Sequence, residues 1–188
     1  MSALADTAFA PPPLAFKAAD MEEAYRRLGA NCGPGALAAV SGHTPFDIAT
    51  LLGAEFHRRQ AMTERMLEVA LDRLGLPWTH ADPARTPFPP FGLVRVQWHG
   101  PWMSDRDPYA RLTHSHWVAS FIPHPAPPAD GRIDPRTRVF DFNAIGVGGW
   151  IDIAEWRECL VPWLLERAEP DASGPWHVSD AYHLARPA

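Results

Sequence analysis

Lysine is almost missing from this chain. Of its 17 basic residues only Lys17 is a lysine, and against 22 acidic residues they leave a formal charge of −5. With no run of basic residues to neutralise a phosphate backbone, a nucleic-acid partner is not expected. Long apolar runs are also absent, so nothing in the sequence reaches the ~20 residues that span a bilayer, and no membrane association is expected. Cysteine is scarce too. Cys32 and Cys159 are the only two, too few for the disulfide framework of a small secreted domain. The N-terminus lacks the basic, apolar and small-residue order of a signal peptide, and a reducing cytoplasmic location is the expectation. No internal repeat is visible.

What is present is a globular composition, 46% hydrophobic and 21% charged, over 188 residues, enough for one domain with a sizeable core. Its 21 prolines and 13 glycines predict stiff loops, notably around Pro83–Phe91 and Pro123–Pro135. Residues 1–18 include Pro11-Pro12-Pro13 and read as an extended arm, leaving residues 19–188 as the folded domain.

A helix is expected from Asp20 to Leu28, stopped by Gly29. A second begins at about Cys32, with Asn31 as its N-cap, Pro34 in the first turn and small residues through Val40. Shorter helices follow Thr44-Pro45 through Leu52, and Thr63 through Leu74 with Gly75 as its stop. Strands are expected at Leu76–His80, Gly92–Trp98, Ser115–Ile122, Thr137–Phe142 and Trp176–Leu184, with one more helix over Asp152–Arg167. Helices first and strands afterwards predict an α+β fold, with the Cys32 helix buried on an antiparallel sheet.

The chemistry starts at Cys32. A thiolate is stabilised at a helix N-terminus, where unpaired N–H groups also stand ready for a developing oxyanion, and Gly33 would let a substrate backbone approach. A nucleophilic cysteine needs a base, and His116 at the leading end of a strand supplies a candidate. His114, two positions earlier, would share its face, yet no acidic or cysteine cluster accompanies the pair, and no metal site is assigned. An imidazole in turn needs an orienting acceptor. Asp141 and Asn143 both fit, since they share strand parity, and the apolar run around Asp141 favours the carboxylate. Gly146–Gly149 lacks the spacing of a phosphate loop and reads as a turn. Cys159, beside Leu160 and Trp163, is expected in the core, and Glu64 and Glu68 on a solvated helix face. His177 and His183 need no role. Trp98, Trp102, Trp117 and Trp150 either wall a cleft or fill a core.

Three pieces in order, Asn31-Cys32-Gly33-Pro34 opening a small-residue helix, His116-Trp117-Val118-Ala119 on a strand, and Phe140-Asp141-Phe142-Asn143 before Gly148-Gly149-Trp150, resemble the papain-like cysteine peptidases. Within that superfamily the chain looks most like the domains that remove double-glycine leaders from bacteriocins, and their stand-alone bacterial and phage relatives. The resemblance runs over residues 30–156. It implies a papain-like fold and a thiol hydrolase, peptidase or amidase, acting through an acyl-enzyme on a peptide or protein substrate without a cofactor. It also implies Cys32 as nucleophile, His116 as base and acid, and Asp141 as orienting group, with Asn143 as the alternative. Those families carry a glutamine six residues before the cysteine as an oxyanion donor; Arg26 stands there, and Asn31 is the nearest amide. A catalytically weak or inactive protein-binding module on the same fold is the alternative function.

Overall fold

A computed structural model describes residues 10–105, 107–123 and 131–186. Residues 1–9 of the expected arm and residues 124–130 of the second proline-rich loop lie outside them. Helix α1 spans Ala18–Leu28, starting two residues before Asp20, which reaches back at 2.9 Å to accept from the Lys17 N–H. Gly29, at φ 64°, ends it as expected. Helix α2 (Cys32–Ser41) is buried from Gly33 through Val40. That is what its sequence requires, because small and apolar residues on every side leave no face for water.

Thr44 opens α3 (Pro45–Arg59) in a reciprocal cap with Asp47. This helix runs past Leu52 to Arg59, broken at Gly53, whose φ of 73° only glycine adopts without strain. Thr63 caps α4 (Glu64–Arg73) through a hydrogen bond from the Met66 N–H. Then come β1 (Trp78–Ala81), β2 (Phe91–Trp98), a short α5 (Pro108–Thr113), β3 (Ser115–Phe121), β4 (Arg138–Phe140) and β5 (Trp150–Asp152). Helices α6 (Ile153–Glu155) and α7 (Val161–Ala168) flank a π-turn at Trp156–Leu160, and β6 (Trp176–Leu184) closes the order.

The fold is α+β, with a six-stranded antiparallel sheet in the order β1-β6-β2-β3-β4-β5. Every residue of the central β2 is buried, because both faces of the sheet are covered. One apolar layer joins Leu37, Phe56, Leu67 and Leu71 of the early helices to Leu93, Trp117, Ala119 and Tyr182. The opposite layer joins Val94, Val96 and Val118 to Trp156, Val161 and Leu164. The residues preceding α1 lie along the first layer, with Phe16 edge-on to Phe140 at 5.9 Å. Among the described residues no helix is long and apolar enough to cross a membrane.

Candidate active site

Cys32 is the first residue of α2 and is half-buried. The first helical bond, from the Gly35 N–H to the Asn31 carbonyl at 3.0 Å, leaves the Cys32 and Gly33 N–H groups without an acceptor in the helix. Asn31 holds the N-cap position but makes no side-chain cap. Its Nδ2 instead donates to the Gln60 carbonyl at 2.9 Å, and that contact fixes which end of the amide is oxygen. Its Oδ1 therefore faces the Cys32 sulfur, at 3.8 Å. A thiol can donate to that oxygen; a thiolate gains nothing from it.

His116 enters from β3, opposite Val96 in the β2 register, and is 6% exposed. Its Nε2 donates to Asp141 Oδ2 at 2.7 Å, which leaves Nδ1 for Cys32, the ring's other polar partner. Trp98 lies nearly parallel to the imidazole at 6.1 Å, and Phe142 stands at 5.9 Å on a tilt. Burial alone would lower the imidazole pKa, but the Asp141 charge, the Cys32 sulfur and the ring's hydrogen bonds to both outweigh it, raising it to about 10.

Asp141 has no exposed surface, and each of its oxygens accepts two hydrogen bonds. Oδ2 accepts from His116 and, at 2.9 Å, from Trp156 Nε1; Oδ1 accepts from the Asn143 N–H and the Asn143 amide, both at 2.9 Å. Burial pushes its pKa up, yet the facing imidazolium and these donors bring it below the ordinary carboxylate value. In space the carboxylate meets the imidazole, and the asparagine holds the carboxylate. Strand parity fails at Asn143 because β4 ends at Phe140 and Asp141 caps a 3₁₀ turn over Phe142–Val147. Gly148 and Gly149 complete that turn with positive φ.

Other expected positions differ. Arg26 does not reach the site; its side chain is exposed on α1 and pairs with Glu23. Gly33 serves packing, since a Cβ there would stand 2.7 Å from Met62 Cβ. His114 precedes β3, pairs with Glu169 at 2.7 Å and stacks on Trp102 at 3.7 Å. Cys159 is exposed, because the π-turn carries it outward. Glu64 and Glu68 are engaged, with Arg95 and the Tyr182 hydroxyl respectively. His177 lies 2.7 Å from His99. Trp98, Trp102, Trp117 and Trp150 are all buried in the two layers.

Three residues the sequence did not single out support the site: Met62 beneath Gly33, Gln60 beneath Asn31, and Trp156 on Asp141. Only the tryptophan carried a sequence signal, as a polar-tipped aromatic within the helix expected over Asp152–Arg167. The chain has four side-chain amides, Asn31, Gln60, Gln97 and Asn143. Gln97 is spent on the Trp98 and His114 carbonyls, and only Gln60 has an amide group with no partner among the described residues.

A cysteine at a helix start, a buried imidazole beside it and a carboxylate behind the imidazole can together transfer a proton and expose a sulfur nucleophile. No protein-family model, curated protein or solved structure matches the chain.

Proposed function

We propose that the protein is a papain-like thiol hydrolase that cleaves an amide bond in a peptide or protein. The observation that carries this reading is His116 held between Cys32 and Asp141, its Nε2 on the carboxylate at 2.7 Å. The order of the three residues along the chain agrees with the papain-like resemblance.

The reaction has two halves. Cys32 Sγ, its proton passed to His116, attacks the carbonyl carbon, and the Cys32 N–H faces the oxyanion. The imidazolium then returns that proton to the leaving amine as the carbon–nitrogen bond breaks, leaving a thioester on Cys32. In the second half His116 takes a proton from water, whose oxygen displaces the sulfur and releases the acid. Asp141 keeps the ring aimed and balances its positive charge throughout.

A binding module on the same fold is the competing reading, and one observation favours it: Asn31, Gln97 and Asn143 are committed elsewhere, and Arg26 faces solvent. Losing one oxyanion donor costs about 10²–10³ in rate. The test is turnover of a mixture of fluorogenic peptide amides by wild type and Cys32→Ala, with intact-mass detection of the thioester. Turnover lost in the variant supports the hydrolase; no turnover and no adduct favours the module.

A further inference from the structure

A hollow of about 750 Å³ opens between α3 and α4 on one side and β2, β6 and α5 on the other. Cys32, His116 and Asp141 are not among its described lining, but two of its wall residues stand next to residues that neighbour them. Thr63, on that wall, comes directly after Met62, the residue packed against Gly33. Gln97, also on the wall, pairs in register with Ser115, the residue before His116, and donates to the His114 carbonyl at 2.8 Å.

The charge of this hollow runs against that of the chain. Among the described residues five arginines line it, Arg59, Arg65, Arg73, Arg95 and Arg111, against two acids, Glu55 and Glu64, with Asp180 behind Arg95, so cations are in excess here in a chain of net −5. Arg59 pairs with Glu55 and covers the Tyr109 ring at 4.5 Å. Arg73 and Arg111 bond only to the Leu51 and Met103 carbonyls, and with Arg65 they have no carboxylate partner among the described residues. His177, held neutral by burial and by the neighbouring His99, adds no charge near pH 7. Arg95 is nine-tenths buried. Asp180 at 2.6 Å and the half-exposed Glu64 at 2.7 Å satisfy its Nη2, while its buried Nη1 has no partner. Between the arginines the wall is apolar, with Leu51, Leu52, Met66 and Leu112.

Arginines without acids recognise carboxylates by paired N–H donors, and the apolar wall takes side chains set between them. A volume of about 300–1,000 Å³ is the range that encloses a short peptide or a drug-sized ligand. Single-stranded nucleic acid needs free aromatic faces; of the rings in the described lining, Tyr109 lies under Arg59 and His177 packs against His99. We infer that this cavity binds an acidic segment of the substrate polypeptide, carboxylates alternating with apolar side chains. The inference rests on the hydrolase reading for the word substrate, and on the cavity alone for the binding. Glu64 lies where a ligand carboxylate would meet Arg95, and acts as an internal competitor.

The test uses full-length Cys32→Ala, which cannot turn over, and fluorescence anisotropy of a fluorescein-labelled twelve-residue peptide alternating Glu and Leu. The expected result is saturable binding, weakened at least tenfold when Gln replaces Glu in the peptide, and weakened similarly by Arg65→Glu with Arg111→Glu. Glu64→Gln should tighten it severalfold. Equal binding of the Glu and Gln peptides overturns the inference, as does unchanged binding by the arginine variant with a native circular dichroism spectrum. Tighter binding of a labelled oligothymidylate, or full displacement by millimolar citrate alone, also overturns it. Alkylation of wild-type Cys32 is read separately: an inert thiol with intact peptide binding removes the hydrolase and keeps the acidic-peptide site.

Discussion

Asn143 grips Asp141 by one oxygen only, its backbone N–H and its side-chain amide both ending on Oδ1 at 2.9 Å. The other oxygen is thereby left to His116 and Trp156. The two residues act in series, and their substitutions should rank in that order. Asp141→Ala is expected to lower kcat/KM by about 10³–10⁴-fold, as loss of a triad carboxylate does. Asn143→Ala should cost about tenfold, in the range of an outer-shell partner. Asp141→Ala also strands a buried imidazole, at about 3–5 kcal/mol of stability. Urea denaturation alongside the assay separates the two losses, and a larger rate effect at Asn143 would reverse the assignment.

Thiol reactivity offers a test that needs no substrate. Cys159 is the exposed thiol and Cys32 the half-buried one, so accessibility alone favours Cys159. Below pH 7, iodoacetamide should nevertheless modify Cys32 faster, because an imidazolium stands beside it. The two rates should converge above about pH 8.5, the range of an ordinary thiol. His116→Gln should remove the difference at low pH. Equal labelling of both cysteines below pH 7 by peptide mass spectrometry would contradict an activated Cys32.

Stability should depend on pH in two opposite limbs. The raised His116 pKa contributes stability in full below its ordinary value of 6.5, and that contribution fades as pH rises toward about 10. The lowered Asp141 pKa contributes in full above 3.8 and is lost as pH falls below it. Urea midpoints should therefore peak between about pH 4 and 6.5, and His116→Gln should flatten the alkaline limb. An alkaline limb of unchanged slope in that variant would assign it to another group.

Gly33→Ala tests packing beneath the nucleophile. Its Cβ would lie 2.7 Å from Met62 Cβ, 3.1 Å from Cε and 3.3 Å from Sδ. Overpacking of this kind costs about 1–3 kcal/mol. Met62→Ala should restore only part, since it retains the nearest atom. Additive urea-denaturation losses in the double variant would show that the two side chains do not touch.

The start of α2 and the strand bearing His116 are legible in the sequence because each depends on local pattern: a small-residue helix behind Asn31, and an apolar strand behind a polar run. The link between them is legible only by resemblance, since 83 residues lie between Cys32 and His116 and no periodicity reports so distant a contact. Cys159 departs from its expected place because helical spacing assumes an unbroken register, and the π-turn at Trp156–Leu160 rotates the helix beyond it. β5 has three residues and α5 six, both too short for a periodic signal. The arginine-lined hollow is invisible in the sequence for a different reason. Its cations are scattered over four elements, and a search for basic runs finds nothing where α3, α4, β2 and α5 converge.

Cys32 packs against the layer beneath the early helices, whereas Asp141 is bonded to Trp156 of the opposite layer, and Trp98 of that same layer lies along His116. The site thus straddles a seam, and it exists only while both layers are docked on the sheet. Alkylation of Cys32 becomes a gauge of that docking: modest urea that loosens α6 and α7 should silence the thiol while the helical signal of α1–α4 persists. On the hydrolase reading proposed above, such a molecule loses its nucleophile before it unfolds.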